Sequence, residues 1–141
     1  MVVYSDVEQQ YGTDKSMAKL NITQLKDLFQ KMLDENPLIT ASGFGIPPAK
    51  QSQQQQALFD SERQDLKGMF TEFLLAYEWI EGLDLARRGN FAGWTTYALK
   101  RDAEKETGEY IPAGAFLLAA LAHGCEMSTA QGGVSVYLTF P

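Results

Sequence analysis

One cysteine and one histidine among 141 residues leave little material for the chemistry those side chains usually carry. Cys125 has no second cysteine with which to close an intramolecular disulfide, which fits a reducing compartment. A structural zinc site takes about four ligands, so metal binding rich in Cys or His is excluded and no cofactor is called for. His123 stands close to Cys125, yet nothing nearby offers to orient an imidazole toward the thiol. Its place at the end of a predicted helix, where the dipole favours a cation, accounts for it. Long apolar runs are missing as well. The longest, residues 111–122, falls short of the roughly 20 residues that span a bilayer. The opening Met1-Val2-Val3-Tyr4-Ser5-Asp6 lacks the basic flank and apolar core of a secretory signal. These absences read as a cytoplasmic protein with no membrane partner.

Positive charge is also scarce. Lys and Arg number 12 against 18 Asp and Glu, a net charge of -6, and a broad phosphate-binding surface needs clustered cations. The imbalance is confined to the first part of the chain. Residues 1–84 hold seven basic and thirteen acidic side chains, whereas residues 85–141 hold five of each. Any basic patch therefore belongs to the second part.

What is present is enough for one domain over 1–141: a hydrophobic content of 45% supports a core without staples. Residues 1–19 show no sustained period and read as a loosely held arm. Ile22, Leu25, Leu28, Phe29, Met32 and Leu33 then recur at helical spacing, with Asn21 or Thr23 as N-cap and Asn36-Pro37 as the stop. Residues 38–53, with Gly43, Gly45, Pro47, Pro48 and a glutamine tract, read as a solvated loop. Gly43-Phe44-Gly45 lacks the Lys and following helix of a phosphate loop.

A single long helix is expected over 54–80, its apolar stripe made by Leu58, Leu66, Met69, Phe70, Phe73, Leu74, Tyr77 and Ile80. After it, Arg87, Arg88, Phe91 and Trp94 interleave cations with aromatics, the combination that stacks on an unpaired base or docks a phosphate. The next helix starts at Thr95 or Thr96 and runs to Thr107, with Gly108 as the left-handed C-terminal residue. Its Lys100, Arg101, Asp102, Glu104, Lys105 and Glu106 read as charges paired along a solvated surface rather than as a hard-metal site. Residues 113–123 are almost wholly apolar and read as the central buried helix, opened near Pro112 and closed by Gly124. Beyond Gly124 the period switches to two: 125–129 and the alternating Val134, Val136, Leu138 and Phe140, with Gln131-Gly132-Gly133 between them, read as a terminal hairpin. The fold class is thus mainly α (α+β), a four-helix core with a small C-terminal antiparallel β-hairpin.

The run Thr96-Tyr97-Ala98-Leu99-Lys100-Arg101 with Glu104, then Gly108-Glu109-Tyr110, Gly114, Ala119-Ala120, Gly124 and the strand from Val134, has a recognisable order. It resembles a recurrent C-terminal module in small proteins of phages, plasmids and other mobile elements. That module shows a Ser-Tyr-Gly-Leu-Lys-His-like helix start with a Glu three positions on, Gly-x-Tyr, an Asn-Gly pair, an apolar segment and a closing strand. The chain departs from it in having Arg101 for the His and Ala113 for the Asn. The resemblance implies a mobile-element context and carries no activity. If the His and Asn of the pattern are chemical groups, their replacement argues against catalysis. Tyr97, Gly108, Tyr110 and Gly114 read as residues that fix the packing of two helices and a strand.

The leading expectation is a small, acidic, non-catalytic factor that binds a host or element-encoded protein, as an inhibitor or modulator, with homo-oligomers allowed. The alternative is a nucleic-acid-binding accessory protein using the Arg and Lys of 87–105. A helix-turn-helix made by the last two helices is excluded, because residues 113–122 offer no base-reading side chain. The candidate binding residues are Arg87, Arg88, Phe91, Trp94, Lys100 and Arg101.

Overall fold

The computed structural model describes residues 20–44, 52–83, 95–129 and 136–139. Within them the chain forms α1 (Ile22–Glu35), β1 (Ile39–Thr40), β2 (Gly43–Phe44), α2 (Gln53–Lys67), α3 (Phe70–Glu81), α4 (Thr96–Thr107), α5 (Ala113–Ala122), β3 (Glu126–Thr129) and β4 (Val136–Thr139). The protein is mainly helical, as its periodicity predicts. No helix among the described residues is long and apolar enough to cross a membrane. The expected arm over 1–19 lies outside the described residues.

Local chemistry sets most helix ends. Asn21 caps α1 in a reciprocal box: its side chain accepts from the Gln24 amide at 2.8 Å while Gln24 accepts from the Asn21 amide at 2.9 Å. Ser52 and Gln55 repeat the device at α2. Thr95 caps α4, and Gly108 ends it in the left-handed conformation at φ 73°, with its amide on the Glu104 carbonyl at 2.9 Å.

The single helix expected over 54–80 is two helices. At Gly68 and Met69 the amides bond only three residues back, to Asp65 and Leu66 at 3.0 Å each, and the α-ladder stops. The break separates two environments. α3 packs mainly on α5, whereas α2 packs mainly on β1. Leu66 alone of α2 is buried, and Leu58, placed by its spacing in the apolar stripe, is 59% exposed.

α5 is the centre: every residue from Gly114 to Ala120 is buried, and α3, α1, α4, β1 and β2 all touch it. Beside it runs a chain of rings. Phe29 of α1 meets Phe70 at 5.8 Å and Phe73 at 5.0 Å, Phe73 meets Tyr77 at 5.9 Å, and Tyr77 carries the His123 imidazole at 4.0 Å. Trp79 leans on Phe116 at 6.0 Å and donates its indole N–H to Glu106 of α4 at 2.9 Å. Trp79 is thus half-buried at the edge of the core.

Residues 39–44, expected to be solvated loop, form instead a tight antiparallel turn with Ile39 opposite Phe44 and Thr40 opposite Gly43. Ile39 and Thr40 are buried. Two adjacent residues of α2 hold this turn. Arg63 donates to the carbonyls of Leu33, of Asn36 (3.0 Å) and of Ile39 (2.8 Å), so one guanidinium closes the end of α1 and anchors β1. Glu62 accepts from Ser42 Oγ at 2.9 Å, while its own carbonyl accepts the Ala41 amide at 3.2 Å. On its other side the turn lies directly on α5: the Gly114 amide donates to the Ala41 carbonyl at 3.1 Å, and a Cβ on Gly114 would fall 1.8 Å from the Thr40 carbonyl oxygen. Only glycine allows that approach. The remainder of the expected loop, 45–51, lies outside the described residues.

At the C-terminal end β3 pairs antiparallel with β4, Glu126 opposite Thr139 and Thr129 opposite Val136. β4 also touches α4.

Candidate functional site

The candidate site is the outer end of α4 and the short link from α4 to α5. Residues three and four apart on a helix are neighbours on its surface. Here that spacing gathers Tyr97, Lys100, Arg101 and Glu104, and the link brings Tyr110 back beside them. The Lys100 ammonium lies 5.3 Å from the ring centroids of both Tyr97 and Tyr110. It also bonds Glu104 Oε2 at 3.2 Å, and the same oxygen accepts the Ile111 amide at 2.9 Å. One carboxylate oxygen thereby joins the helix, the lysine and the first buried residue of the link.

Lys100 is therefore not the solvated cation its charged neighbours predict. Its side chain is 10% exposed, and its ammonium is engaged by Glu104 and two tyrosine faces. The correction follows from the link: Gly108 turns the chain back, and Tyr110 covers what would otherwise be open helix surface. The two tyrosines also differ from expectation. Read from the sequence as packing residues, they are 59% (Tyr97) and 71% (Tyr110) exposed. Gly114 is the packing residue of that set.

Arg101 stays outside. Its guanidinium donates to the Tyr97 hydroxyl at 3.2 Å and sits 5.6 Å from that ring. Lys105, a further turn along, is exposed. Tyr97, Arg101 and Lys105 thus form one outward stripe, while Lys100 lies on the flank that faces Tyr110. Arg87, Arg88, Phe91 and Trp94 lie outside the described residues, so of the six sequence candidates Lys100 and Arg101 can be placed. Tyr97, Tyr110 and Lys105 join them on structural grounds. The i, i+4, i+8 spacing of Tyr97, Arg101 and Lys105 is legible in the sequence; the return of Tyr110 is not.

Two other polar centres serve the fold. Burial lowers the Arg63 pKa from its ordinary value, against the opposing pull of Asp34, and the group remains charged at neutral pH. Burial raises the Tyr77 phenol above its ordinary range, and the neighbouring Glu81 carboxylate adds to the rise. The His123 ring lies flat on Tyr77 with Nε2 2.9 Å from the Tyr77 carbonyl, so Nε2 carries a proton and donates. Among the described residues no group of three or more His, Cys, Asp or Glu is placed to hold a metal ion.

The arrangement is a mainly helical scaffold that presents two exposed tyrosines and an arginine. Compared with protein-family models, with curated proteins and with solved structures, the chain matches none.

Proposed function

We infer that the chain acts without catalysis, as a cytoplasmic accessory factor of a mobile element that binds a host or element-encoded protein and so inhibits or modulates it. The observation that carries this reading is the exposure of Tyr97 and Tyr110 on either flank of a largely buried lysine. Tyrosine and arginine are the residue types that dominate protein interfaces, and rings already held in place lose little freedom on binding. The excess of acidic side chains in residues 1–84 adds long-range attraction toward basic regions of that partner away from the tyrosines. We read α1, α3, α4 and α5 as a four-helix core that fixes this presentation, with α2 fastened outside it and the strand pair closing one end.

The test is affinity capture by the full chain from lysate of its host, run beside the Tyr97→Ala/Tyr110→Ala variant. A partner that is retained by the parent and lost by the variant, with both proteins melting at similar temperatures, supports the reading. Capture that is identical for the two, or no capture at all, overturns it.

A further inference from the structure

The stripe Tyr97, Arg101 and Lys105 is an anomaly of charge. On a chain of net charge -6, Arg101 and Lys105 are exposed cations that form no ion pair with any described residue. Of the acids on α4, Glu104 holds Lys100 and the Ile111 amide, and Glu106 accepts the Trp79 indole; Asp102 and Glu109 stand three before and four after Lys105. Along the stripe itself the three exposed side chains are all donors. The guanidinium gives one N–H to the Tyr97 hydroxyl and keeps four for water, and that hydroxyl, already an acceptor, has its own proton to donate.

We propose that the Tyr97–Arg101–Lys105 stripe, with Tyr110 at its edge, docks an acidic segment of the partner protein, a carboxylate pairing with Arg101 and apolar side chains resting on the two tyrosines. The proposal rests on the protein-binding reading above and specifies the partner's chemistry. Charge complementarity selects this occupant. A carboxylate matches the planar fork of an arginine with two parallel hydrogen bonds. A nucleic-acid strand fits less well. Two cations do not follow a phosphate backbone.

The experiment selects peptides from a random-sequence display library against the full chain. Selected sequences are expected to be rich in Asp and Glu. Their binding should weaken as salt rises and fall by roughly tenfold or more in Arg101→Glu/Lys105→Glu. The milder Arg101→Gln/Lys105→Gln variant should lose part of it. Both substitutions are at exposed positions, and circular dichroism checks that the fold is kept. Peptides without acidic enrichment, acidic peptides that bind the reversed variant equally well, or an empty selection each overturn the proposal. So does an oligothymidylate probe whose affinity exceeds that of the peptides and depends on the same two cations. A partner captured from lysate through Tyr97 and Tyr110 but indifferent to the charge reversal leaves the protein-binding reading standing and removes this one.

Discussion

Replacing Gly114 by Ala tests the closest backbone approach among the described glycines. The added Cβ would lie 1.8 Å from the Thr40 carbonyl oxygen and 2.7 Å from its carbon. Opening the first separation to the ~3.3 Å of a close carbon–oxygen contact requires the turn and α5 to part by about 1.5 Å. That movement strains packed backbone, at about 1–3 kcal/mol. It also stretches the 3.1 Å bond from the Gly114 amide to the Ala41 carbonyl, which contributes about 1 kcal/mol. Against these stands the better helix propensity of alanine, at most about 1 kcal/mol. The expected net loss is about 1–4 kcal/mol, read as a lower urea midpoint at unchanged m value with tryptophan emission as the probe. Gly108→Ala is the contrast: nothing lies within 4 Å of its added Cβ, so only the left-handed backbone at φ 73° opposes it, at about 1 kcal/mol. Because Arg63 pins the same turn, Arg63→Ala should let the turn yield, and the double variant should lose less than the two singles summed, by about 1 kcal/mol. A Gly114→Ala midpoint within about 0.5 kcal/mol of the parent, or strict additivity with Arg63→Ala, would refute the assignment of this contact as rigid.

Arg63→Met keeps the aliphatic stem but removes three donated hydrogen bonds; a loss of about 2 kcal/mol in urea unfolding is expected, since bonds from a charged donor are the stronger kind but this one is partly solvated. Glu104→Ala disconnects Lys100 from the Ile111 amide and should raise amide exchange in the α4–α5 link, seen by deuterium uptake, before it lowers the melting temperature by more than a few degrees. Tyr77 gives a pH signature. Its folded pKa is raised, so the native state holds a proton that the unfolded chain releases near pH 10; that stability is present below about pH 10 and is lost as pH climbs through the folded value. Tyr77→Phe should therefore show a shallower alkaline decline of the urea midpoint than the parent, and parallel curves would dismiss the shift.

Where the chain's own neighbours decide structure, the sequence is readable. The ends of α1, α4 and α5 are set by Asn21, Thr95, Gly108 and the apolar run itself, all within a turn of the boundary they define. The break at Gly68 escapes such reading because the apolar period runs unbroken across it, and an isolated glycine inside a helix is ordinary. The turn over 39–44 escapes for a different reason. Its burial depends on Arg63 and Gly114, residues distant in sequence whose approach no local pattern encodes. The site divides the same way. The helical spacing of Tyr97, Arg101 and Lys105 is plain, but the burial of Lys100 depends on Tyr110 folding over it, and charged neighbours three and four apart suggest open surface instead.

α2 carries a practical consequence. None of residues 53–61 is buried, and this half of the helix is closed by its own Ser52–Gln55 box, while Glu62, Arg63 and Leu66 do the fastening. The glutamine end is thus a handle rather than a wall. A dye, an affinity peptide or a surface tether attached at Gln54 would leave both the central helix and the tyrosine face untouched.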